Sequence, residues 1–126
     1  MKKNKKSYEN YVCPHCFRQL QECICEHFPP WELIFIDKHI QPVIQVLNDK
    51  GYKTTGCCES HIDGDCHNIY VTFNIKQKFD TLPAGYKYIK QGYGISYEYP
   101  RNTDAQKFEE LKNDKLAELL RWAQEL

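Results

Sequence analysis

Apolar side chains recur at helical spacing in the first half of the chain. Positions i, i+3, i+4 and i+7 of this segment are occupied by Ile40, Val43, Ile44 and Leu47, which places them on one helical face. We expect this helix over about 38–50, with Asp37 as the N-cap and Gly51 as the left-handed stop. Pro42 falls near the first turn, where its missing N–H delays the start of the helix or bends it.

A second helix is predicted at the C-terminal end. Thr103 and Gln106 have the spacing of a capping box, so we expect this helix over about 104–125. Its predicted buried face consists of Phe108, Leu111, Leu119 and Trp122. Its predicted solvent face carries Lys112, Lys115 and Glu118.

Alternating apolar and polar residues predict strands between the two helices. The segment 68–75 alternates best, and its apolar face consists of Ile69, Val71, Phe73 and Ile75. Segments 52–58 and 93–99 are also prone to form strands, whereas 76–92 is ambiguous because proline and glycine interrupt it. Residues 32–36 are either a short strand or an apolar lead-in to the first helix. The pattern predicts an α+β fold in which two helices pack on a small β-sheet.

Four cysteines lie close together before this domain. Cys13, Cys16, Cys23 and Cys25 follow the pattern C-x2-C-x6-C-x-C in a segment too polar to form a core. Zinc prefers four thiolate or imidazole ligands at tetrahedral corners, and structural sites are commonly all-cysteine. We therefore expect one structural Zn²⁺ in an N-terminal zinc knuckle or ribbon. Replacement of one cysteine by His15 or His27, and four free thiols in a loose segment, stay open.

These patterns divide the chain into three parts. Residues 1–12 are predicted to be a flexible basic tail, 13–31 the knuckle and a linker, and 32–126 the α+β domain. The lysines of the tail are more typical of a solubilising segment than of a phosphate-binding arm. The formal net charge of zero argues against a nucleic-acid binder that depends on bulk electrostatics.

The chain has no apolar run of the length that spans a membrane and no signal peptide, so we predict a cytoplasmic protein with no membrane partner. In that compartment its seven cysteines are expected to be metal ligands or free thiols rather than disulfides.

A second cluster of candidate ligands occupies 57–67 and consists of Cys57, Cys58, His61, Cys66 and His67. Three interpretations stay open. The first is a second metal site formed by Cys58, His61, Cys66 and His67. The second is a ligand-binding or reactive loop that uses Cys58, Glu59 and His61. The third is structural, with buried cysteines and solvated histidines. Cys57 and Cys58 are expected to point to opposite faces of a strand, so they do not readily bind one ion.

The segment Gly51-Tyr-Lys-Thr-Thr-Gly-Cys-Cys-Glu-Ser-His61 resembles two groups of proteins. One is a set of small bacterial and phage zinc-knuckle proteins in which a helix precedes such a segment. Residues 36–62 are also distantly similar to the wybutosine-synthesis tRNA methyltransferase family, whose Ser-Gly-Arg is Glu59-Ser60-His61 here. This similarity implies a helix–strand–loop unit with Thr55, Cys58 and His61 at its functional edge. It also implies S-adenosylmethionine as a cofactor and RNA as a partner.

The sequence therefore favours a small zinc-binding protein, bacterial or phage in type, with a ligand-binding loop at 57–67 and no assigned catalytic residue. One alternative is an RNA-binding or tRNA-modifying enzyme. A second is a protein–protein adaptor that uses the aromatic strands of 86–99.

Overall fold

The computed structural model describes residues 10–19, 22–23, 25, 33–61 and 67–126. Most of the basic tail, His27 and Cys66 lie outside the described residues. The elements are β1 (Tyr11–Val12), β2 (Ile34–Phe35), α1 (Gln41–Asp49), β3 (Thr54–Cys58), β4 (Asn68–Phe73), β5 (Lys87–Ile89), β6 (Gly94–Glu98) and α2 (Ala105–Glu125). The predicted α+β class is confirmed. The division into tail, knuckle and domain stays a prediction.

Four strands form the main sheet, in the order β3-β4-β6-β5, and every neighbouring pair is antiparallel. Ile69 lies opposite Tyr97, and Val71 opposite Ile95. These four side chains share one face of the sheet, because directly opposed residues point the same way. All four are buried in a core that includes the apolar faces of both helices. The strands β1 and β2 form a separate two-stranded sheet whose Val12 reaches the same core.

Helix α1 begins later than predicted, and its cap is different. Ile40 is the N-cap and makes no side-chain capping hydrogen bond, so the prediction that Asp37 caps the helix is wrong. Pro42 lies in the first turn, where a backbone N–H has no helical partner to lose. Gly51 has a φ of 94° and ends the helix as predicted, with Tyr52 N–H donating to the Leu47 carbonyl at 2.9 Å.

Helix α2 has the predicted length but a different cap, and two side chains differ from the prediction: Lys112, and Leu111, which is only partly buried. Asp104 is the N-cap, and its carboxylate accepts from Lys107 N–H at 2.8 Å. The hydroxyl of Thr103 donates instead to the Pro100 carbonyl. Lys112 is only 9% exposed, so its prediction on the solvent face is wrong. Phe108, Leu119 and Trp122 are buried as predicted, together with Leu116 and Ala123.

Two strand predictions also differ from the structure. Strand β4 ends at Phe73, which leaves Ile75 60% exposed, although alternation had placed it with the core residues. Strand β5 lies within 76–92, the segment that the sequence left ambiguous. In the part of the chain that the structure describes, no helix combines the length and apolar character needed to cross a membrane.

Candidate metal centre

The four N-terminal cysteines converge. The sulfur atoms of Cys13, Cys16, Cys23 and Cys25 all lie within 4.8 Å of one another, and all four are free thiols. In a tetrahedral zinc site, Zn–S bonds of about 2.3 Å place the sulfurs about 3.8 Å apart. The donor set therefore fits a four-coordinate metal ion, because it supplies four sulfurs at compatible distances without a disulfide among them.

Backbone turns hold two of these sulfurs in place. The amide of His15 donates to Cys13 Sγ, and the amide of Cys25 donates to Cys23 Sγ, each at 3.3 Å. Phe17, with a left-handed φ of 61°, donates to the Cys13 carbonyl at 2.9 Å and closes the first turn. Amide hydrogen bonds to sulfur orient and stabilise metal-bound thiolates.

The cysteine segment is attached to the α+β domain by side chains on both flanks of its first turn. Cys13 itself is buried, and Phe17 packs against the main core. Arg18 donates to Asp49 at the end of α1 at 3.2 Å, and Gln19 donates to Gln41 at the start of α1 at 3.0 Å. The cysteine segment is therefore attached to both ends of α1.

Burial and hydrogen bonds shift the pKa values of Cys16, Cys23 and Cys25. The pKa of Cys25 is raised to about 12, first by desolvation and then by hydrogen bonds with neighbouring cysteines. The pKa of Cys23 is also raised by desolvation, which outweighs its hydrogen bond with the Cys25 backbone. Desolvation also acts to raise the pKa of Cys16, but hydrogen bonds from the Arg18 backbone and the other thiols outweigh it, so the net shift is downward. Four thiolates at this spacing repel one another, and a cation removes that repulsion.

A second group of ligand atoms lies where β3 ends. Asp37, Cys58 and His61 place one carboxylate oxygen, one sulfur and one imidazole nitrogen within 4.8 Å of one another. The carboxylate of Asp37 is 3.0 Å from His61 Nε2. Asp37 comes from the loop before α1, so the tertiary fold brings it to the predicted residues Cys58 and His61.

Glu59, next to Cys58 in the chain, connects the end of β3 to the start of α1 and to α2. Its Oε1 accepts from the amides of His39 and Ile40 at 2.7 and 3.1 Å, which supplies the side-chain cap that α1 otherwise lacks. Its Oε2 lies 2.8 Å from His39 Nδ1 and 3.1 Å from Lys112 Nζ. Burial alone would raise the pKa of Glu59, but the hydrogen bonds of His39 and Lys112 outweigh it, so the net shift is downward.

The two adjacent cysteines differ in environment. Cys57 lies opposite Val71, on the helix-covered face, whereas Cys58 lies opposite Tyr70 on the other face, as predicted. Burial, and then the charges of Asp37 and Glu59, raise the pKa of the Cys57 thiol to about 12. Cys57 is therefore protonated and unreactive near neutral pH.

Cys58 is disulfide-bonded, and this corrects the prediction that the cysteines are free thiols or metal ligands throughout. The place of Cys58 among the predicted ligand-binding residues stays a prediction. The predicted second metal site also included Cys66 and His67. Cys66 lies outside the described residues. His67 is described and exposed.

Thr55, implied as a site residue by the tRNA methyltransferase resemblance, is not in the metal-ligand group. Its hydroxyl is 2.9 Å from that of Thr72 on β4. It also lines a cleft of about 220 Å³ beside β2, together with Phe17 and Ile34.

Sequence reasoning missed three residues of this corner: Asp37 as a ligand candidate, His39 and Lys112. Lys112 did carry a signal, because it lies four residues from both Phe108 and Leu116 and so falls on the buried stripe of α2.

Comparison of the chain with protein-family models, with curated proteins and with solved structures finds no match in any of the three. The two resemblances therefore stay predictions.

Proposed function

We propose that this chain is a zinc-binding protein in which one Zn²⁺, bound by Cys13, Cys16, Cys23 and Cys25, holds the N-terminal segment against the α+β domain. The observation that carries the proposal is the convergence of four free sulfurs within 4.8 Å of one another. A set of four thiolates leaves no coordination position for a substrate, so the ion is structural rather than catalytic.

The surroundings of the cysteines support a structural role. The segment has few apolar residues of its own beyond Val12 and Phe17, and both pack into the core of the neighbouring domain. Zinc binding to a small all-cysteine site contributes about 10 kcal/mol or more, which is available to order such a segment. Its attachment through Arg18 and Gln19 then fixes the loops next to α1.

Metal content tests the proposal. Purified protein that has not been treated with reductant is expected to hold one zinc per chain, and Cys16→Ala is expected to release it to a chromophoric chelator that the parent protein resists. Cys57→Ala is the matched control, since Cys57 lies on the sheet and is not among the four sulfurs, and it should retain zinc. Retention of zinc by Cys16→Ala against the chelator would contradict the ligand set. Iron in place of zinc would preserve the site but overturn the choice of metal.

A cytoplasmic location is part of the same proposal, because free cysteines predominate among the described ones and are typical of a reducing compartment. The tRNA-modifying and adaptor functions stay predictions. Among the tyrosines that suggested an adaptor, Tyr86 and Tyr97 are core residues, whereas Tyr88 and Tyr93 are exposed.

A further inference from the structure

We propose that Asp37, Cys58 and His61 form a second metal site, which becomes available when the Cys58 disulfide is reduced. This site is separate from the four-cysteine centre. It would take a divalent transition-metal ion of the zinc type, because its donors are one thiolate, one imidazole and one carboxylate.

The geometry of the three donors is the first argument. Their ligand atoms lie within 4.8 Å of one another, close to the spacing that one tetrahedral ion requires. Cys58 is 7% exposed, and the side chains of Asp37 and His61 are 14% and 48% exposed, so the group is buried on one side and open on the other. Asp37, Cys58 and His61 would fill three of the four positions around one tetrahedral ion.

The backbone around Cys58 is the second argument. Its sulfur accepts the amide N–H of Ser60 at 3.3 Å. The four-cysteine centre uses the same hydrogen bond, because Cys13 and Cys23 each accept the amide two residues later at 3.3 Å. Cys58 therefore presents its sulfur in the same local turn as two of the cysteines that converge at the first centre.

The conformation of Ser60 is the third argument. Ser60 is fully buried and has a φ of 81°, in the left-handed region that residues with a side chain avoid. Such a conformation is strained and persists only where the surrounding fold imposes it. It occurs between Glu59 and His61, where the chain turns so that the imidazole of His61 returns towards Cys58 and Asp37.

A supporting shell fixes the position of Asp37. The amide of Glu59 donates to Asp37 Oδ2 at 3.5 Å, and the carboxylate of Glu59 binds the amides of His39 and Ile40, which follow Asp37 in the chain. Lys112 neutralises Glu59 from α2. The Asp37 carboxylate is therefore held in position before any ion binds. Groups that hydrogen-bond to metal ligands orient them in this way at known metal sites.

Reduction opens the site by ordinary thiol–disulfide exchange. A dithiol reductant attacks the disulfide of Cys58, the protein S–S bond breaks, and the dithiol is oxidised to its own internal disulfide. Both protein sulfurs leave the exchange as thiols. Binding of the divalent ion then displaces the proton of the Cys58 thiol and the hydrogen bond between His61 and Asp37.

Zinc stoichiometry before and after reduction tests the proposal. Full-length protein is loaded with Zn²⁺ with and without a phosphine reductant, which avoids competition from a zinc-binding dithiol, and bound zinc per chain is measured by native mass spectrometry. Reduction is expected to add one zinc to the parent protein and to Cys57→Ala, and none to Cys58→Ala or His61→Ala. His61 is half-exposed, so its removal tests the site even if Cys58→Ala folds poorly; circular dichroism checks each variant.

Because the readout is the zinc gained on reduction, it does not depend on the four-cysteine centre. In Cys16→Ala, the reduction-dependent ion should remain while the other is lost. The proposal is overturned if reduction adds no zinc to the parent protein, if His61→Ala gains zinc as the parent does, or if the second ion is already bound by the oxidised protein.

Discussion

Replacement of Lys112 by methionine tests the buried charge pair that joins α2 to the end of β3. Lys112 Nζ lies 3.1 Å from Glu59 Oε2, and the two side chains are only 11% and 4% exposed. Methionine retains most of the apolar stem but leaves the carboxylate without its cation. Removal of one partner of a buried pair costs about 3–5 kcal/mol. Since Glu59 keeps its hydrogen bonds to His39 and Ile40, we expect the lower end, about 3 kcal/mol.

Urea unfolding followed by tryptophan fluorescence measures this effect, because Trp122 is buried on the same helix. Lys107→Met is the matched control: Lys107 is exposed on α2, and we expect a change within about 0.5 kcal/mol. The pKa of Glu59 is lowered in the folded state, so its stabilisation is present above its unfolded pKa and is lost as pH falls through the folded value. The penalty of Lys112→Met should therefore shrink at acidic pH. A penalty at neutral pH no larger than that of Lys107→Met would show that the Lys112–Glu59 pair does not stabilise the fold.

Two further substitutions test the local structure, each by its free energy of unfolding. Asp104→Ala should destabilise the protein by about 1 kcal/mol, since it removes the acceptor of the Lys107 amide, whereas Thr103→Ala should cost clearly less; equal losses would restore Thr103 as the cap. Gln91→Gly should stabilise the protein by up to about 1 kcal/mol, because Gln91 is exposed at a φ of 59° that glycine adopts without strain. Gln124→Gly, at an exposed position of α2, should have the opposite sign.

The sequence was sufficient where a local pattern determines the structure. The spacing of Ile40, Val43, Ile44 and Leu47 predicted the buried face of α1, and Gly51 predicted its end, because both depend on residues within a few turns. The cysteine spacing likewise predicted which four residues converge. These features follow from helical periodicity and from ligand spacing, which need no knowledge of the tertiary fold.

Sequence reasoning failed where a partner arrives from elsewhere in the chain. Asp37 was assigned as a helix cap, but Glu59, which follows β3 in the chain, supplies the cap instead. The carboxylate of Asp37 contacts the imidazole of His61. Lys112 was placed in solvent because lysine is rarely buried without an anion, and its anion, Glu59, is far away in sequence. The disulfide of Cys58 was missed for a different reason, because the predicted cytoplasmic location led us to expect thiols or metal ligands rather than disulfides.

Zinc K-edge X-ray absorption on the Cys58→Ala variant identifies the ligands of the four-cysteine centre, since that variant lacks the thiolate of the second site. We expect one zinc per chain, coordinated by four sulfurs at about 2.3 Å. A first shell with nitrogen or oxygen in place of sulfur, or a purified protein that retains no zinc, would contradict the assignment of Cys13, Cys16, Cys23 and Cys25 as the complete ligand set.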